Sequence, residues 1–227
     1  MNLPYFILVA GLLTFSVACS GPKSDFAVYV LDDKLPTYSD DLKRAYSAVR
    51  EPLAFEDGRA VNGCDEYLEA MQSSEVLAVS TERRTEQEYQ TCEALKKLLK
   101  ADELGAEVKK LVSEGEKISS GLCSQLDLST FSHSLRPQMP EGVVTLNELF
   151  KTKPSNKASS CLYDNESTRF ELRPVLQFKA AGTGEQYLIV WLTDEIKNGT
   201  YIDYRSILVK MDSTEKWQAI DVWPRPF

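Results

Sequence analysis

The chain has 227 residues, a formal net charge of −8, 43% apolar side chains and 10% aromatic ones. That composition excludes a disordered chain and supports a real hydrophobic core. The acidic balance excludes a nucleic-acid binder, which needs a basic footprint.

From Met1 to Ala18 there is no charged side chain, and Leu3 to Leu13 is almost wholly apolar. A membrane-crossing helix needs about 20 apolar residues. This run is shorter and is broken by Pro4 and Gly11, so it reads as a cleaved targeting segment. It ends in Ser16-Val17-Ala18-Cys19-Ser20-Gly21. Small residues before a cysteine, closing a short apolar run, resemble the lipobox of bacterial lipoproteins. The likeness covers residues 1 to 21. It implies removal of residues 1 to 18 as a signal peptide and acylation of Cys19, which would hold the chain on a bilayer. Each buried methylene of an acyl chain contributes about 0.8 kcal/mol. Ser20 after the cysteine implies sorting to the outer membrane, facing the periplasm. Secretion by ordinary cleavage after Ala18 is one rival reading, since Ser16 and Ala18 also satisfy the small-residue rule of that cut, and an uncleaved anchor is the other.

Residues 19 to 38 read as a lipidated tether, with Phe26 to Leu31 as a short strand or docking segment inside it. Four helices are expected over 39 to 125. The first starts at Ser39, which caps it, and buries Leu42, Ala45, Tyr46 and Val49. The second follows Asn62-Gly63, with Cys64, Tyr67, Leu68 and Met71 on one stripe, and runs on through Val76 and Val79. The third begins near Thr85 with Glu88 completing a capping box, and turns Tyr89, Cys92 and Leu99 inward. The fourth follows Asp102, aligns Leu104, Val108, Leu111, Ile118 and Leu122, and contains Gly115.

Residues 126 to 160 read as a loop-rich connection. Thr145-Leu146-Asn147-Glu148 is the exception, a capped helical turn ending near Phe150. Residues 161 to 227 read as antiparallel sheet. Phe170, Leu172, Leu176 and Phe178 alternate with polar residues, and Pro174 marks an edge or bulged strand. Tyr187 to Leu192 is apolar on both faces, as expected of a covered central strand. Asn198-Gly199 is a hairpin signal. The fold class expected is therefore α+β: about four antiparallel helices followed by a four-stranded antiparallel meander packed on them, read as one domain.

Besides Cys19 the chain holds Cys64, Cys92, Cys123 and Cys161. An even count in an exported chain reads as two disulfides, with three possible connectivities. If the second and third helices form a hairpin, Cys64 and Cys92 lie at similar heights on facing stripes. That favours 64–92 and leaves 123–161. The cysteines lack metal-ligand spacing, and His133 is the only histidine, so no metal and no cofactor are expected.

The chain carries no nucleophile elbow, zinc-helix motif or phosphate loop, and no catalytic residue is assigned. Ser132-His133-Ser134 puts two serines beside the histidine, but adjacent side chains diverge. Asp194, Glu195, Asp203 and Asp221 are the acids a glycan hydrolase would draw on. The aromatics of the sheet are the stronger lead. Trp217, Trp223 and Phe227 are the candidate binding residues, for a sugar or a protein partner. From Cys19 to Gln125 there are 14 Lys/Arg against 21 Asp/Glu. This acidic half suits a basic envelope protein. The function expected is that of an envelope lipoprotein binding a protein or a cell-wall component without catalysis. A wall-glycan hydrolase with paired carboxylates and a passive scaffold are the alternatives.

Overall fold

The computed structural model describes residues 27–150, 159–180, 183–212 and 216–220. In chain order the helices are α1 (Ser39–Tyr46), α2 (Cys64–Ala70), α3 (Ser80–Glu86), α4 (Thr91–Glu103), α5 (Gly115–Gln125) and α6 (Leu146–Leu149). The strands are β1 (Ala27–Val30), β2 (Leu53–Ala54), β3 (Ala60–Val61), β4 (Glu107–Lys110), β5 (Leu126–Asp127), β6 (Cys161–Asp164), β7 (Thr168–Lys179), β8 (Gln186–Ile196), β9 (Ile202–Met211) and β10 (Trp217–Ile220).

The expected four helices plus four-stranded antiparallel meander is corrected. The sheet has eight strands in the order β4-β1-β7-β8-β9-β10-β5, with β6 also on β7. It is mixed: β1 and β4 run parallel, as do β10 and β5. Strands lie far upstream of residue 161. Ala27–Val30, within the expected tether, is buried or half-buried between β4 and β7.

The reason is local ambiguity in short segments. Leu104, Val108 and Leu111 satisfy a helical stripe, but Gly105 at φ +63° breaks the chain out of α4, a conformation glycine adopts freely. Glu107–Lys110 then pairs with β1 as an edge strand. Its lysines and glutamate suit an exposed edge, where charge discourages further pairing. Gly115 consequently opens α5 rather than interrupting a longer helix. Likewise α2 stops at Ala70, and residues beyond it turn so that Val76 bridges Phe55. The helix near Thr85 is in fact α3, a 3-10 turn over Gln87–Tyr89 and then α4, without a capping box. Ser39 does not cap α1; its hydroxyl donates to Asp102 at 2.8 Å and ties α1 to the end of α4. Thr145 and Glu148 do form a capping box on α6.

Both faces of the sheet are covered. On one, Leu42 of α1 and Leu95 and Leu98 of α4 pack on Val28, Leu176, Ile189 and Leu208. On the other, Ile118 and Leu122 of α5, with Leu128 and Leu146, pack on Phe170, Leu172, Val190 and Leu192. Burial on alternate faces explains the unbroken apolar run of β8. Pro174 lies at a bulge in β7, between Pro174 and Leu176. On the strand's outer side β6 pairs as far as Leu172 and β1 begins at Leu176. Pro174, with no N–H to offer a ladder, stands in the gap.

Disulfides join Cys64 to Cys92 and Cys123 to Cys161. These are the pairs expected, although no long helical hairpin produces the first. Cys64 opens α2 and Cys92 lies in the first turn of α4, and a small third cluster of Leu53, Phe55, Tyr67 and Tyr89 surrounds the bond. The second ties α5 to β6.

Candidate functional site

A concavity of about 770 Å³ opens between α2, α3 and β9. It exists because the chain turns away after α2 and returns as α3, which rests on β9. Tyr67 and Tyr89 form one wall, their ring centroids 5.0 Å apart. Tyr89 is anchored by its hydroxyl, 2.6 Å from the Glu51 carbonyl. Tyr201 lies at the mouth and donates to Asp194 at 3.1 Å. Burial first, then the charge of Asp194, holds its phenol above the ordinary range.

Glu86 is the chemically unusual group. Its side chain is 1% exposed, in an ion pair with Arg83 at 3.1 Å. The Tyr67 hydroxyl donates to it at 3.3 Å. Desolvation pushes the Glu86 carboxyl up to about 7, and the charge of Asp203 adds to the rise. Arg83 pulls the other way, but burial prevails. Asp203 is ion-paired to Arg205 at 3.1 Å, and Arg205 also donates to the Ser132 carbonyl. The cleft thus combines a carboxyl that holds a proton near neutrality, an ion-paired carboxylate, two guanidinium groups and aromatic walls. Such a lining offers donors, acceptors and stacking faces to a polar ligand.

The residues singled out from sequence fare differently. Trp217 is corrected: it is 7% exposed and belongs to the core. Its indole N–H donates to the Asp212 carbonyl at 3.1 Å, and its ring lies against Gly121. Alternation along β10 puts it on the covered face. Cys19, Asp221, Trp223 and Phe227 lie outside the described residues. His133 is buried between Phe131 and Phe170. Its Nε2 is 2.9 Å from the Leu128 carbonyl, and burial holds its pKa below the ordinary value. Ser134 turns to Asp194 instead, so histidine and serine form no catalytic pair. Glu195 pairs with Arg84 across 3.4 Å, an exposed contact. Of the four acids weighed, Asp203 lines the cleft. Among the described residues no cluster of three or more His, Cys, Asp or Glu is arranged to hold a metal.

Glu86 and Arg83 were missed from sequence. A signal existed: Glu86, Gln90 and Glu93 recur at i, i+4 and i+7, polar residues running beside the inward stripe of Tyr89 and Cys92. All three are buried.

No family model matches this chain, and comparison with curated proteins and with solved structures likewise finds no match.

Proposed function

We propose that this chain is an envelope lipoprotein, anchored through acylated Cys19 on the outer membrane and facing the periplasm, that binds a cell-wall component in the α2–α3–β9 cleft. The lining of that cleft carries the reading: tyrosine faces beside buried and ion-paired carboxylates and guanidinium groups. Sugars and peptide stems of wall polymers present hydroxyl, amide and carboxylate groups that such a lining can pair, with ring faces for stacking. Two disulfides suit an oxidising compartment. Among the described residues no helix is long and apolar enough to cross a membrane, and acylation would do the anchoring.

The test is co-sedimentation with purified insoluble wall, comparing the native chain with Ala78→Trp. Ala78 is exposed and lines the cleft, so the indole fills it without disturbing the core. Loss of wall binding by tenfold or more, about 1.4 kcal/mol, is expected; undiminished binding rejects the cleft. Cys19→Ala should release the protein from membranes, and unchanged retention rejects the anchor.

A wall-glycan hydrolase is the second reading, favoured by one observation. Glu86 holds its proton near neutral pH in the same cleft as Asp203, the acid-plus-carboxylate arrangement that glycoside cleavage uses. Release of reducing ends from wall material, lost in both Glu86→Gln and Asp203→Asn while co-sedimentation persists, would establish it.

A further inference from the structure

β8 pairs with β9 along its whole length, from Ile202 to Met211. On the other side of β9, β10 stands only against Leu208, Val209 and Lys210. From Ile202 to Ile207 no strand lies on that edge among the described residues. A strand edge of this kind is a template for a further extended segment.

The cleft runs along this edge. Successive side chains of a strand point to opposite faces. Tyr201, Asp203 and Arg205 belong to one face, Ile202 and Ser206 to the other, and all five line the cleft. A space above one face would meet one set; a space beside the strand meets both. Its far side is the stretch from Glu75 to Val79, whose backbone is bonded to Ala54 and Glu56.

Chain continuity supplies an occupant. β10 is antiparallel to β9, with Gln218 opposite Lys210, Ala219 opposite Val209 and Ile220 opposite Leu208. Two more residues in that register bring Val222 opposite Ser206, which lines the cleft. The Ala219 amide donates away from β9, to Thr130 Oγ1 at 2.9 Å, so alternation turns the amides of Ile220 and Val222 towards β9. Pro224 has no amide to offer, and the ladder ends there. Trp223-Pro224-Arg225-Pro226 still favours extended backbone, because each proline restricts itself and the residue before it. Val222 to Phe227 is five steps along the chain, as is Ser206 back to Tyr201, about 16 Å of extended chain in either case.

The side chains match as well. Continued, the register sets Trp223 opposite Arg205 and Arg225 opposite Asp203. In the lining, the carboxyls of Glu75, Glu86, Glu93 and Asp203 outnumber the guanidinium groups of Arg83 and Arg205, which favours an incoming cation. Tyr201, at the mouth, offers a ring face to Phe227.

We propose that residues 221–227 extend β10 along the edge of β9 and lie in the α2–α3–β9 cleft, with Trp223 on Arg205, Arg225 on Asp203 and Phe227 beside Tyr201. The segment is then a built-in competitor for a ligand of the cleft. Competition with a cell-wall component rests on the wall-binding reading; the docking itself does not.

The experiment is 15N relaxation of the full chain. Docking predicts backbone order parameters for Trp223, Arg225 and Phe227 near the rigid value of about 0.85, whereas a free segment falls below about 0.6. Arg225→Glu, a change in the segment alone, and Ala78→Trp, which fills the cleft, should each bring all three below about 0.6. Mobile amides in the native chain, or amides that stay rigid in either variant, overturn the proposal. Order that vanishes on dilution together with a shorter tumbling time places the segment in the cleft of a second copy, and overturns docking within one chain. No wall material enters the measurement, so a free segment leaves the wall-binding reading standing, and a failed co-sedimentation leaves the docking standing.

Discussion

Asp194 and Ser134, separated by 60 positions in the sequence, are joined twice. The Ser134 amide donates to the Asp194 carboxylate at 2.6 Å, and the Ser134 hydroxyl donates to its other oxygen. Tyr201 donates a third bond at 3.1 Å. Asp194 is fully buried, yet it lies in the middle of a three-donor cage that fastens the 128–139 loop to the end of β8. A buried carboxylate is tolerated only when paired in this way.

Asp194→Ala leaves those donors unpaired inside the protein and should cost about 3 kcal/mol. Ser134→Ala removes one donor side chain and should cost about half as much. Urea unfolding of both variants checks the ratio. Equal and small losses would mean that the cage holds nothing in place.

Glu86 makes stability depend on pH. Its folded carboxyl is raised by burial from 4.5 to about 7, so the folded state binds the proton more tightly than the unfolded chain does. Stability contributed by this group is complete below the unfolded pKa and is lost as pH rises through the folded one, a total of about 3 kcal/mol. Glu86→Gln should flatten the dependence, gaining on the native protein at about pH 8 relative to about pH 5. Arg83→Gln removes the compensating charge and should move the transition upward. Denaturation midpoints across that range are the measurement.

Gly121 is held by packing rather than by backbone conformation. A Cβ at this position would come within 2.4 Å of the Trp217 ring. Gly121→Ala should improve helix propensity by about 1 kcal/mol, but overpacking costs about 1–3 kcal/mol, and the net effect is destabilising. The double variant with Trp217→Phe should recover part of the loss, because the smaller ring frees the space. Thermal unfolding of the single and double variants distinguishes the two effects.

The Cys64–Cys92 bond spans 28 residues. Replacing both cysteines with alanine should cost about 3.5 kcal/mol in the chain-entropy account. It should also loosen the small cluster of Leu53, Phe55, Tyr67 and Tyr89, which faces the bond. Amide exchange in α2, faster in the variant while β7 and β8 keep their protection, is the expected pattern.

Legibility followed the length and strength of each local signal. The Thr145–Glu148 box needs only neighbouring residues, and it forms as read. The alternation of Phe170 to Phe178 and the apolar run of Tyr187 to Leu192 mark real strands, because a period of two over many residues has no helical equivalent. Glu107–Lys110 is four residues long and fits either period, so the partner decides: beside β1 it becomes a strand. Ala27–Val30 has the same character: its residues allow a short strand or a docking segment within a tether, and pairing with β4 and β7 makes it a strand. Trp217 carries the aromatic signature of a binding residue, yet the side of the sheet that it faces depends on where α5 packs.

What the sequence determined alone is what neighbouring residues enforce: the Thr145–Glu148 capped turn and the long alternating strands. Tertiary structure decided the rest. The parallel pairings of β1 with β4 and β10 with β5, the meeting of Glu86 with Asp203 in one cleft, and the joining of Ser134 to Asp194 all join residues distant in the chain. Short strands earn their hydrogen bonds from remote partners, and carboxyl pKa values are set by remote burial. Neither quantity is written in any local window.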